Sequence, residues 1–235
     1  MRRIWAITRK ELLSYFSSPV AYIVSAVWLG LFAFFFCIIV TSSREATMRY
    51  VLHNMNITLL LTAPMLTMRL FAEERKQGTY EMLMTSPITI LELVLGKLLG
   101  TTLMFLAMTA VTVEYPLFLF AYGSPDPGPL LTGYLGFSLL GVSFLSIGMF
   151  ASSLTENQIL ATIVSFGILL FLVVISWASQ AAGGAVGDFL SGISVLERFE
   201  DFSRGVLDSG DVVFYLSLIG IFTFLTVRSL DWKRW

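Results

Sequence analysis

Six stretches of the chain, residues 20–40, 50–71, 90–122, 131–154, 159–178 and 212–230, are almost wholly apolar and are parted by short polar breaks. A helix needs about 20 mainly apolar residues to cross about 30 Å of hydrocarbon, so each stretch predicts a membrane-spanning helix. The second stretch is the most polar, carrying His53, Asn54, Asn56, Thr58 and Thr62, and Pro64 predicts a bend that neighbouring helices must accommodate. Asn54, Thr58 and Thr62 recur every fourth residue and so share a face. The third carries Glu114 beside Tyr115 and Pro116. Three prolines between Ser124 and Pro129 make a stiff turn that no helix can cross. The fourth is studded with Gly133, Gly136, Gly141, Ser143, Ser146, Gly148 and Ser152, small residues that let helices approach closely in lipid.

Three segments depart from that pattern. In residues 1–18, Ile4, Ile7, Thr8, Leu12, Tyr15 and Phe16 fall on one side of a helical wheel, with Glu11 as a misfit among them. Arg2, Arg3, Arg9, Lys10, Ser14 and Ser17 fall on the other. That layout predicts a helix lying in the membrane surface with its basic side toward anionic headgroups, and not a cleavable signal peptide. Residues 179–211 are too few for a domain and too apolar for a free loop. Ser194 and Glu197 read there as a capping box, and Leu196, Phe199, Phe202 and Val206 recur at helical spacing. Short helices lying on, or re-entering, the outer membrane face are expected. The third segment joins the second and third spans: Glu73, Glu74, Arg75, Lys76 and Glu81 lie within nine positions, Gly78 interrupts them, and Leu83 and Met84 open an apolar face before Pro87. It is too polar for lipid and too patterned for a slack linker, which predicts a docking element for another protein.

Composition fixes the class. Of 235 residues 56% are hydrophobic and 13% charged, with a mean hydropathy of +0.81, so the chain reads as an all-α polytopic membrane protein built as a single transmembrane domain. A net charge of -1 gives no basic surface for nucleic acid. One cysteine, Cys37, and one histidine, His53, leave neither a disulfide frame nor a Cys or His metal cluster. Gly96-Lys97 lacks the remaining residues of a phosphate-binding loop, and Gly96 and Gly100 instead form a small-xxx-small pair. No hydrolase or protease motif is present, so no catalytic residue is expected.

Arg and Lys fall unevenly about the predicted spans. With both termini in the cytoplasm, eleven lie inside (Arg2, Arg3, Arg9, Lys10, Arg69, Arg75, Lys76, Lys97, Arg228, Lys233 and Arg234) and four outside (Arg44, Arg49, Arg198 and Arg204). The charged segment is then cytoplasmic. Glu114 is the clear ionisable group within a span, and reads as part of a translocation path, as a proton-sensitive site or as a hydrogen-bonded structural carboxyl. Asn54, Thr58 and Thr62 read either as path lining or as helix packing.

Glu74-Arg75-x-x-Gly78-Thr79-x-Glu81-x-Leu83, a proline shortly after, and Leu95-Gly96-Lys97 opening the next span resemble the first cytoplasmic loop of ABC-2 type permeases, the membrane subunits of type V ABC exporters. Residues 68–75, 148–158 and 202–211 are similar to the permease subunit of gliding-motility-associated ABC transporters. The resemblance implies a surface helix at residues 2–17, a coupling helix within residues 73–85 and re-entrant helices between the fifth and sixth spans. It implies a second permease copy and two ATPase subunits that carry ATP and Mg on separate chains, with no cofactor on this one. In the narrower family it implies a further membrane partner bearing an extracytoplasmic domain. Glu73, Glu74, Arg75, Lys76 and Glu81 would make polar contacts to the ATPase, Gly78 and Thr79 would form the close approach, and Tyr80 and Leu83 would be the buried anchors. The location implied is the bacterial cytoplasmic membrane. Two alternatives remain at this level, a secondary transporter or channel that needs no ATPase, and a membrane scaffold.

Overall fold

The computed structural model describes residues 2–43, 45–79 and 88–232. Among them the chain forms helices joined by short turns: α1 (Arg2–Ser17), α2 (Pro19–Ser43), α3 (Arg49–Thr67), α4 (Arg69–Lys76), α5 (Ile90–Val111), α6 (Glu114–Tyr122), α7 (Pro127–Leu154), α8 (Gln158–Ala181), α9 (Gly184–Ile193), α10 (Val195–Ser203) and α11 (Ser209–Trp232). Six helical stretches, Pro19–Ser43, Arg49–Lys76, Ile90–Tyr122, Pro127–Leu154, Gln158–Ala181 and Ser209–Trp232, are long and apolar enough to cross a membrane. The chain is a multi-pass membrane protein.

Local chemistry sets the helix starts. Thr89 and Glu92 form a reciprocal capping box on α5, Asp126 caps α7 ahead of Pro127, and the Asn157 side chain accepts from the Ile159 N–H at the start of α8. On α10, Ser194 accepts from the Glu197 N–H at 3.2 Å, but the expected return bond is replaced, because the Glu197 carboxylate accepts from the Ser179 hydroxyl.

α7 is the hub. Of its span, 72% is buried, against 17% for α2 and for α11, so the outer helices face lipid while α7 faces protein. Its small residues make room for large ones. A side chain at Gly141 would begin 2.3 Å from the Phe105 ring, and one at Gly136 2.5 Å from Phe202. Trp28, Phe105 and Phe137 pack around that point with centroids 5.8–6.0 Å apart.

The third span is not one helix. It breaks at Thr112–Val113, because Pro116 has no N–H to give the Thr112 carbonyl four residues back. The Tyr134 hydroxyl donates to that carbonyl instead, at 3.0 Å. In the second span, helix continues through Pro64 and stops at Thr67, leaving a joint at Met68 before α4.

α1 forms over the residues expected of the surface helix. Its apolar side packs on α5 rather than on lipid, over Gly96 and Gly100: Ile7 Cβ lies 2.7 Å from where a Gly96 side chain would begin, and Glu11 Cβ 2.7 Å from that of Gly100. Trp5, Leu13 and Phe16 form a separate exposed stripe with Arg2 and Arg9 between them. At the opposite end of the bundle, α10 turns inward and buries Val195, Phe199 and Phe202 completely in the main core. Val206, expected on the same face, lies past the helix end and is exposed.

Replacing Gly141 with Val should lower stability by about 1–3 kcal/mol by forcing a branched side chain against Phe105. Gly167→Ala, at a position with open space around it, should be neutral or stabilising. Thermal unfolding of the two purified variants in detergent checks the contrast.

Candidate functional site

At the α1 end, helices α1, α4, α5 and α7 converge on the Met68 joint. The carbonyls of Leu66, Met68 and Leu70 around the break each accept a hydrogen bond from a side chain of a different helix. Tyr15 of α1 donates to Leu66 O at 2.7 Å, Ser152 of α7 to Met68 O at 3.0 Å and Lys97 of α5 to Leu70 O at 2.7 Å. Ser152 also accepts from the N–H groups of Phe71 and Ala72, at 3.1 and 3.2 Å. Gly148, one turn earlier on α7, lets Thr67 in, since a side chain there would begin 2.1 Å from Thr67 Oγ1. Backbone groups that a continuous helix would satisfy internally are thus satisfied from outside, which fixes the angle between α3 and α4.

Lys97 is the centre of this joint. It is 1% exposed, its Nζ lies 2.7 Å from Glu11 Oε1 and 2.8 Å from Glu74 Oε1, and it sits 5.2 Å from the centroid of the Phe71 ring. With Leu70 O, these contacts use all three ammonium protons. A buried lysine is tolerated only with such full pairing. The ion cluster therefore binds α1, α4 and α5 to one another. Lys10 adds a looser contact to Glu74 at 3.6 Å, and Arg69 pairs with Glu73 at 3.0 Å and donates to Ser18. Burial pushes the Tyr15 hydroxyl well above the usual phenol range, so it stays a neutral donor to Leu66. A polar cleft of about 250 Å³ opens beside the cluster between α1 and α4.

Sequence reasoning left Glu11 as a misfit and placed Lys97 among the membrane-edge charges, and it did not pair them. The charged segment itself is divided. α4 ends at Lys76, and Gly78 follows with φ +70°, a left-handed turn that favours glycine. Among the described residues nothing lies within 4 Å of where a Gly78 side chain would begin, so there the glycine serves the turn. Glu74 directs its carboxylate inward to Lys97, whereas Lys76, Gln77, Gly78 and Thr79 are exposed. Glu73 accepts from Arg69 and from Gln77 Nε2, and Arg75 is half-buried. Tyr80, Glu81 and Leu83, with the rest of the coupling helix expected up to residue 85, lie outside the described residues.

The four residues expected along a path are not gathered into one. Asn54 Nδ2 donates to Tyr50 O and Thr62 Oγ1 to Thr58 O, each within α3. Glu114 is exposed at the α5–α6 break, and α6 is anchored on α2 by Tyr115, stacked 5.6 Å from Phe32. Of the polar side chains that α3 buries, Thr62 and Thr67 donate within the helix, whereas Asn56, at 2% exposed, does not. It lines a cavity of about 160 Å³ between α3, α8 and α10. Its signal was a polar residue within the apolar arc of Leu52, Leu59, Leu60 and Ala63.

Comparison with known proteins gives these features a family. A family described as "ABC-2 family transporter protein" matches residues 41–193, more than half of the chain. The chain is similar to "Probable multidrug ABC transporter permease YbhR" of Escherichia coli (strain K12), with 31% identity over 101 residues, 43% of this chain and 26% of that protein. It is also similar to "Probable multidrug ABC transporter permease YbhS" of the same strain, with 35% identity over 104 residues, 43% of this chain and 27% of that protein. The matched region thus spans about a quarter of the length of these relatives.

Lys97→Met removes the cation and leaves Glu11 and Glu74 facing each other in a buried site, which should cost about 3–5 kcal/mol. Replacing all three by apolar residues (K97M with E11L and E74L) should recover most of that loss. Thermal melts of the single and triple variants in one detergent measure the difference, and a neutral single variant would show that the cluster holds nothing together.

Proposed function

Since the chain belongs to the ABC-2 family of transporter proteins, we propose that it is the permease subunit of an ATP-driven exporter in the bacterial cytoplasmic membrane. Two ATPase subunits on separate chains bind and hydrolyse ATP with Mg, and a second permease copy completes the pathway. The observation that carries this reading is the Lys97 joint, which fastens α1, α4 and α5 together immediately before the exposed turn at Gly78. A load applied at that turn reaches α3 and α5 without being absorbed by slack.

The α1 end is the cytoplasmic one in this reading. Exposed Arg2, Arg3, Arg9, Lys10, Lys76 and Arg228 gather there, against Arg49, Arg198 and Arg204 at the α10 end. Arg44, Lys233 and Arg234 lie outside the described residues. When ATP draws the two ATPases together, the segment from Lys76 onward moves with them. Glu73, Arg75, Lys76, Gly78 and Thr79 form the near side of that contact, and Tyr80, Glu81 and Leu83 carry it further. Glu74 acts inward, holding α4 to α5. The likeness to gliding-motility permeases adds a further membrane partner with an extracytoplasmic domain, which the α10 end would face.

Gly78→Trp, expressed in the native host, should abolish stoichiometric co-purification of an ATP-hydrolysing partner, because the bulky residue disfavours the turn and fills the docking surface. Full assembly and unchanged ATP turnover in the variant would contradict the docking assignment. A wild-type chain that brings down no ATPase would point to a secondary transporter, a channel or a scaffold.

A further inference from the structure

Asn56 is unusual among the buried side chains of the α10 half. Neither its amide nitrogen nor its amide oxygen has a hydrogen-bond partner, although the residue is 2% exposed. A leucine would fit the same apolar arc, so the amide calls for a partner that the described residues of this chain do not supply. It lies at the wall of the cavity of about 160 Å³ between α3, α8 and α10. A buried amide of that kind is completed by a molecule that enters the cavity and brings both a donor and an acceptor.

The rest of the lining narrows the chemistry. Ser176 is already used, its hydroxyl donating to Leu172 O at 3.2 Å and accepting from the Leu196 N–H at 3.4 Å. Glu200 offers a carboxylate whose bond to Arg204 is an exposed i,i+4 pair, the weak kind, and Arg204 does not line the cavity. No Lys or Arg is among the lining residues, and His53 and Gln180 complete the polar wall, so Glu200 is the one permanent charge and disfavours an anion. Trp177 contributes an indole that is 54% exposed, a surface for a cation or an aromatic ring. Ile57, at the cavity wall, and Leu61, one turn further along α3, are exposed apolar residues, a track for a hydrophobic tail.

We propose that this cavity binds the polar head of an amphipathic organic amine, with Asn56 supplying paired hydrogen bonds, Glu200 the opposite charge and Trp177 an aromatic wall. The assignment deepens the exporter reading, on which it rests only for the use made of the site, because binding is measured on the permease chain without an ATPase.

The experiment titrates the full chain in nanodiscs with rhodamine 6G, an amphipathic amine, and follows dye anisotropy and tryptophan quenching. Saturable binding is expected, weakened at least tenfold in Asn56→Leu and in Glu200→Gln, while Thr41→Ala, exposed on α2 and outside the cavity lining, binds as wild type. Asn56→Leu should melt at or above the wild-type temperature, which a purely structural amide would not allow. The anionic dye 8-anilinonaphthalene-1-sulfonate should not displace the amine. Unchanged rhodamine 6G affinity in Asn56→Leu and Glu200→Gln, or equal competition by the anionic dye, would overturn the proposal. So would a shift of Asn56→Leu from dimer to monomer that accounts for any lost binding, since a second copy would then be the partner of the amide. Intact binding with no ATP-driven transport would instead count against the exporter reading and leave the site standing.

Discussion

One lysine, buried between two carboxylates, governs how this protein is put together at its α1 end. Lys97 Nζ reaches Glu11, Glu74 and the Leu70 carbonyl at 2.7–2.8 Å, and those partners sit on two short helices, α1 and α4. α1 lacks the length of a spanning helix, and α4 has eight residues. Short helices of that kind hold their shape through tertiary contacts rather than through their own propensity. Leaving the buried Lys97 unpaired would be costly, so the three helices are held in the arrangement that pairs its ammonium. The glycines on α5 and the serine and glycine on α7 serve the same end by bringing backbones close enough for these side chains to reach.

The two ends of the bundle solve different problems. Around Met68, side chains from three helices satisfy the carbonyls that the break in the second span leaves open, so a discontinuous span becomes a stiff one. At the α10 end, packing is largely apolar: Phe202 fills the space that Gly136 leaves on α7, the Tyr215 hydroxyl ties α11 to the Val195 carbonyl, and Arg198 pairs with the buried Asp211 at 2.7 Å. There Asn56 stands out as a buried side chain with both of its polar atoms unpaired among the described residues. A rigid, ion-locked end beside the exposed Gly78 turn and a cavity with an unfilled amide at the other suit a protein that receives force on one side and handles a ligand on the other.

Much of this was legible along the chain. Apolar run length located the six spans to within a few residues, and the prolines, the glycine stripe and Ser194 marked real turns, contacts and caps. The pairings were not legible, because Glu11 and Lys97 lie 86 positions apart and only the rotation of α1 on the Gly96 and Gly100 surface brings them together. Periodicity showed that Asn54, Thr58 and Thr62 share a face, but not how deep it lies, and packing leaves Asn54 and Thr58 half-buried while burying Thr62 and the neighbouring Asn56. Glu11 and Asn56 carried the same legible signal, a polar residue set in an apolar helical stripe. In each the stripe was real and the polar residue was its working part.

The central claim is that α1, α4 and α5 move as one body. Spin labels at Arg9→Cys and Lys76→Cys, both exposed, with Cys37 replaced by Ser, would report the α1–α4 separation in the assembled transporter by pulsed electron resonance. The account predicts one unchanged intramolecular distance with and without trapped ATP, while the distance between Lys76 positions of the two permease copies shifts. An α1–α4 distance that changes with nucleotide would contradict it.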